Sequence, residues 1–349
     1  PIYQTTSQIG GLQARLSGDM PYLYPPVFVL LFVPFTVFPP VIAGYIWDIV
    51  VLGFLVWSAS VLIKTFDIDL KKRTRILLYL GIISFGPTLT WVKAGQVSGL
   101  IAALLILSAA SLRSGNDIHS GVFTTLGSAV KPFYATSGAH LLRSKKRLLS
   151  GILALMVVIL TSLLLFGVNE SLQYFEVLRS GKGWGVGIGP QNWNAGHFNP
   201  FYILGPVKHL PRLLIVIGTA GISLHSNWRD IPVEYIFALG VAIIPVAGPT
   251  ANTLALNAVI PAVLVVGLYE LEQTGKVPEV LAVGILLIHI HPYTVEFLSK
   301  LGPSIFSPLN NIAPIIPILQ PAIYGLGLLL GYFVYKIHHI QSEEGFKIG

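Results

Sequence analysis

The feature that most constrains this chain is the recurrence of apolar stretches of membrane-crossing length along all 349 residues. A helix needs about 20 apolar residues to cross a bilayer, with a range of roughly 17–25. Residues 41–63 meet that requirement, and 148–167 is the cleanest run. Shorter or interrupted runs occupy 76–89 (with Pro87), 97–112, 121–142 (broken at Lys131-Pro132), 210–224, 231–247, 254–271 and 277–290, and a long one covers 315–337. Soluble domains carry about 25% charged residues. Here 11% are charged and 53% hydrophobic, and the mean hydropathy is +0.73. Runs spread from end to end exclude a lone anchor on a soluble domain.

The expected fold is therefore all-α: a polytopic transmembrane helical bundle of about ten membrane segments, some re-entrant or broken. It forms a single integral membrane domain over 1–349, multi-pass in the cell membrane and surrounded by membrane lipids. The chain opens on Pro1 with no apolar segment ahead of Tyr24, which is read as a cut N-terminus with a preceding helix missing.

The net charge of +7 does not point to nucleic acid, because the basic residues cluster in short loops between apolar runs. Placing 64–75, Arg113, 143–147, Arg229, Lys276 and the C-terminal tail in the cytoplasm puts 14 of the 22 basic residues there, against seven outside and Lys131 within a segment. By the positive-inside rule that orientation is favoured. It makes 1–24, 91–96, 248–253, 291–311 and the long loop 168–209 external. Run 121–142 then starts and ends on the basic side, which reads as a re-entrant pair of half-helices broken at Pro132. Residues 24–38, short and bearing Pro34, are read as not crossing fully. Residues 91–96 are read as a small connector.

Cysteine is absent, so disulfides and thiolate metal sites are excluded. The glycine-rich 181–189 lacks the flanking strand and helix of a dinucleotide loop, and no cofactor is expected. His289-x-His291 with Glu296 is a poor metal site, since alternate helical residues point to different faces; no metal is expected.

Four groups could carry chemistry. Tyr24-Pro25-Pro26 lies where an external loop meets the membrane, though an interfacial tyrosine followed by a helix start looks the same. Lys93, Gly95 and Gln96 could receive a phosphate, with Gly95 allowing close backbone approach; the plain alternative is a snorkelling lysine and a helix cap. Lys131 sits inside a membrane segment, where an ionisable residue costs about 2.5–3.5 kcal/mol on insertion scales; its plain role would be to satisfy carbonyls freed by Pro132. The external loop carries Asn192, Trp193, Asn194, His197, Phe198 and Asn199. Amides offer donor and acceptor to sugar hydroxyls, but asparagine and glycine also build ordinary turns. Ahead of it, 170–179 can form an amphipathic helix with Leu172, Phe175 and Leu178 on one face, lying along the membrane.

These pieces together resemble glycosyltransferase family 87. The resemblance rests on Tyr24-Pro25-Pro26 with an apolar run to Pro39, Trp47, Gly95-Gln96 opening a helix, and Ser120-Gly121 with Gly127. It continues through Lys131-Pro132 before a basic cluster and 171–178 ahead of the Asn-bearing loop 192–199. It implies a fold of the GT-C type and an inverting transfer of a sugar, mannose-like, from a polyprenyl-phosphate donor to a lipid or glycan acceptor at the external face. It also implies a carboxylate base in the first external loop. Tyr3 is similar to the tyrosine that follows the family's aspartate, which places that aspartate upstream of Pro1 and leaves Asp19 as the only carboxylate in the loop before Tyr24. Pro249-Thr250-Ala251-Asn252 stands where family members often carry a histidine motif, a departure from the pattern. Asp19 is thus the fallback candidate for the catalytic base, by its place in the loop and not as a match to the family's motif. Tyr24, Lys93, Gln96 and Lys131 would bind the donor phosphate, and Asn192, Asn194, His197 and Asn199 the sugar or acceptor. The rival reading is a transporter or flippase of a lipid-linked sugar, because broken segments also suit transporters; a membrane scaffold would leave Lys131 and the loop unexplained.

Overall fold

The computed structural model describes residues 24–180, 207, 209–226, 231–248, 253–290, 298–299, 311 and 321–345, and among these every regular element is helical. Two short 3₁₀ turns, Pro26–Leu31 and Val33–Phe35, lead into α1 (Pro40–Ile63). Then come α2 (Lys72–Ser84), α3 (Gly86–Ala94), α4 (Ser98–Arg113), α5 (Asp117–Val130), a 3₁₀ arm (Pro132–Arg143) and α6 (Lys145–Ser180). The remainder comprises α7 (His209–Ser226), α8 (Val233–Ala242), α9 (Ile244–Ala247), α10 (Val259–Thr274), α11 (Glu279–His289) and α12 (Pro321–Gly345). Among the described residues three helices are long and apolar enough to cross a membrane: Pro40–Ile63, Lys145–Glu176 and Ala255–Thr274. The pair Lys72–Ser84 and Gly86–Val92, bent by 54°, makes a fourth if counted as one span. Helices α4, α8 and α10 form the centre, with Ile101, Leu105, Phe237 and Val265 fully buried. Around them α1 and α6 present leucine, isoleucine and valine outward, as helices do when lipid rather than water is the outer solvent.

The broken segments follow from their prolines. Between α2 and α3, Phe85 is extended (φ −56°, ψ 131°) and Pro87 opens the next helix. Backbone groups stranded by such a break need partners where water is absent, and side chains supply them. The Gly86 amide donates to Nδ1 of His289 at 3.1 Å. Asn257 Nδ2 donates to the Pro87 carbonyl at 2.9 Å, and its Oδ1 accepts from Thr88 at 3.3 Å. His289 thus has a structural task; His291 and Glu296 lie outside the described residues.

Residues 117–143 form a hairpin. Helix α5 runs away from the basic cluster, Lys131 turns the chain in extended conformation (φ −136°, ψ 105°), and the 3₁₀ arm returns beside α5. His140 accordingly meets Ser120 and Thr124 (3.2 and 3.4 Å), while Ser137 meets Ser128 (3.3 Å). The expected pair of half-helices is present, but its second half is 3₁₀ rather than α. Such runs rarely exceed 3–4 residues, and they eclipse positions three apart. This one spans 12, and the eclipsing aligns Tyr134, Ser137, His140 and Arg143 in one row, with Lys131 as the extended cap at its start. Both ends of the hairpin are fixed at the arginine cluster. Arg147 Nε pairs with Asp117 at 2.7 Å, and Arg143 Nη1 donates to the Ile231 carbonyl at 2.7 Å. At about 2.0 Å per residue the arm lifts Lys131 roughly 24 Å from that cluster.

One boundary differs from the sequence reading, and one falls where it is expected. Residues 91–94, read as connector, are the last turn of α3. Helix α6 breaks at Gly167 (φ 83°, ψ 171°), so the span ends there and the residues after it form a second helical segment where a helix over 170–179 is expected, with Leu172 and Phe175 exposed.

Candidate functional site

The site is built where α3 ends and the hairpin turns. Helix α3 stops because Gly95 takes a left-handed conformation (φ 59°, ψ 37°), which side chains other than glycine resist. The amides of Gly95 and Gln96 then bond back to the carbonyls of Val92 and Trp91 (3.2 and 3.1 Å), a helix-ending turn of the Schellman kind. The fully buried Trp91 ring lies against Gly99, where an added Cβ would stand 2.5 Å from it. That close fit holds the end of α3 to the first turn of α4, so Gln96 and Ser98 are presented together.

Three of the residues singled out in the sequence converge there. The Tyr24 hydroxyl donates to Gln96 Oε1 at 2.9 Å. Lys131 Nζ donates to the same oxygen at 3.2 Å and to Ser98 Oγ at 3.2 Å, and sits 5.8 Å from the Tyr24 ring centroid. No carboxylate pairs with Lys131 among the described residues. Tyr134, one 3₁₀ turn along, is 1% exposed, with its hydroxyl beside Ser98 and near Tyr24. The cluster is thus one cation, three hydroxyls and one amide, with its single charge positive: an arrangement suited to an anion.

Lys93 lies on the last turn of α3, but its side chain is outside the described residues. Asp19, Asn192, Asn194, His197 and Asn199 are outside them altogether. The sequence reading did not single out Ser98 or Tyr134. The signal for both was spacing: Ser98 follows Gln96 by two residues at a helix start, and Tyr134 follows Lys131 by three, which matters only if the arm is 3₁₀. A separate cavity of about 310 Å³ lies at the opposite, arginine-bearing end, lined by Lys64, Asp67, Asp69 and Arg75 among others. Its walls mix both charges and it shares no residue with the Lys131 cluster. Among the described residues no three His, Asp or Glu side chains group as a metal site.

Among the described residues every regular element is helical, and helices long and apolar enough to cross a membrane stand beside a polar cluster at the turn of a broken hairpin, the pattern of a membrane protein. The profile of glycosyltransferase family 87 matches residues 22–288, well over half of the chain, and the chain belongs to that family. It is therefore a glycosyltransferase of a membrane family, with a sugar donor and an acceptor as its substrates. No curated protein and no solved structure matches it.

Proposed function

We propose that this glycosyltransferase moves a hexose, mannose-like, from a polyprenyl-phosphate donor to a hydroxyl of a lipid or glycan acceptor at the external face of the cell membrane. The observation that carries this reading is Lys131, held by Gln96 and Ser98 with no carboxylate partner among the described residues. A cation kept in apolar surroundings is costly, and the anionic phosphodiester of the donor, which leaves as a phosphate monoester, offsets that cost. Tyr24, Lys93, Gln96 and Lys131 are assigned to the donor phosphate, and Asn192, Asn194, His197 and Asn199 to the sugar and acceptor. In the reaction the acceptor oxygen attacks the anomeric carbon, the bond from that carbon to the phosphate oxygen breaks, and its electron pair leaves on the polyprenyl phosphate. The acceptor proton passes to a carboxylate, for which Asp19 is the candidate. The anomeric centre inverts. Charge grows on the departing phosphate, where a fixed cation is most effective. In this reading the helices complete a GT-C-type bundle of about ten membrane segments in one domain.

The direct test is transfer of radiolabelled sugar from the polyprenyl donor to lipid or glycan acceptor in membranes containing the protein. Labelled acceptor is the expected result; movement of the donor between leaflets with no transfer would support the transporter reading instead.

The sidedness rests on loop charge, and Ser180 offers a clean test because the chain has no cysteine. Ser180→Cys is expected to react with a membrane-impermeant maleimide in intact cells. Reaction only after permeabilisation would put the 168–209 loop in the cytoplasm and reverse the orientation.

A further inference from the structure

We propose that Tyr134 is a further ligand of the donor, its hydroxyl donating directly to the phosphate oxygen that Lys131 neutralises; the inference rests on the phosphate reading of the Lys131 cluster. Two independent observations lead to it. The first is an accounting of the polar row on the 3₁₀ arm. Ser137 is matched by Ser128, His140 by Ser120, Thr124 and the Ser137 carbonyl, and Arg143 by the Ile231 carbonyl. Lys131 is matched by Gln96 and Ser98. The Tyr134 hydroxyl differs: its one near side-chain partner is Ser98, whose oxygen already accepts from Lys131, and alone in this row it makes no hydrogen bond of good geometry among the described residues, although the residue is 1% exposed. A buried hydroxyl so poorly bonded is costly, and phenylalanine would fill the same space without that cost. The hydroxyl is therefore open to a better acceptor than the unliganded protein supplies.

The second observation is direction. Lys131 caps the 3₁₀ arm, its carbonyl accepting from the Tyr134 amide at 2.9 Å, and the Tyr134 hydroxyl reaches the same corner as Ser98 and Tyr24. An anion bonded to the ammonium group at that corner meets the tyrosine hydroxyl as a second donor. Neutral hydroxyls bond to anions more strongly than to neutral acceptors, and at shorter distances. The Tyr24 hydroxyl is already given to Gln96, which leaves Tyr134 as the aromatic donor open to the ligand.

The test uses the full chain in lipid nanodiscs with two probes: a polyprenyl monophosphate, and the matching polyprenol, which lacks the phosphate. Tyr134→Phe is expected to weaken binding of the monophosphate about tenfold, to leave polyprenol binding unchanged, and to keep or raise the melting temperature without ligand. Lys131→Gln is the control for the underlying reading. If Lys131→Gln weakens monophosphate binding and Tyr134→Phe does not, the inference about Tyr134 falls while the phosphate site stands. If neither variant changes it, the phosphate reading fails and takes this inference with it. Equal loss of both probes, or a lower melting temperature for Tyr134→Phe, would make the tyrosine a packing residue and overturn the proposal.

Discussion

Lys131→Met is expected to slow sugar transfer on the order of 10²–10³-fold, the usual effect of removing one fixed donor from a site where negative charge develops. Methionine keeps much of the length and removes the charge. The bonds of the lysine explain why the loss should be catalytic. Both go to side chains, Gln96 and Ser98, and not to the carbonyls that Pro132 frees, so its role as a backbone prop at the bend is not the one the geometry displays. Removing a charge that is expensive in apolar surroundings should leave the melting temperature unchanged or higher. Initial rates with a radiolabelled polyprenyl donor, beside a thermal melt, separate the two outcomes. A variant that transfers sugar at the normal rate would remove Lys131 from the mechanism. One that is both slow and unfolded would make it a structural post.

What could be read from the sequence divides by the physics of each feature. The membrane class and the helical fold were legible because an apolar run of spanning length has few other uses. The break at 131–132 was legible because proline and lysine are both conspicuous in such a run. That Tyr24, Gln96 and Lys131 meet was not visible in their spacing, since they lie far apart in the chain; the resemblance grouped them by expected role. Tyr134 was missed because helical reasoning looks for periods of 3.6, whereas Lys131, Tyr134, Ser137, His140 and Arg143 repeat every three. On an α-helix those positions would spiral around the axis, and only the 3₁₀ arm, which Lys131 caps, sets the other four in one row. The end of α3 was missed because Lys93 and Gly95 look like loop residues, while Gly95 is instead the left-handed cap that makes the preceding turn helical. The asparagine-rich loop and Asp19 fall outside the described residues, and their part in the site rests on residue chemistry and family resemblance.

The largest expected loss of stability lies at the opposite end of the molecule. Glu270 on α10 is 3% exposed and accepts from Tyr235 on α8, from Tyr332 on α12 at 2.6 Å, and from Lys336 on α12 at 2.9 Å. One carboxylate thus joins three helices, and Lys336 is the only cation paired with it among the described residues. Lys336→Met would leave a buried negative charge with two tyrosine hydroxyls. Breaking a buried ion pair from one side costs about 3–5 kcal/mol. The lysine side chain is 26% exposed, so the low end, roughly 3 kcal/mol, is expected. The double variant Lys336→Met with Glu270→Gln should recover most of that loss. Glutamine keeps an acceptor for the tyrosines, no charge is stranded, and replacing both members of a buried pair is often close to neutral. Unfolding of the purified protein by denaturing detergent measures the cycle, and a strong non-additive term is the expected signature. Additive losses would mean that Lys336 acts through packing along α12 and not through Glu270. Because neither residue touches the Lys131 cluster, binding of a polyprenyl monophosphate should be unchanged in whichever of these variants remains folded.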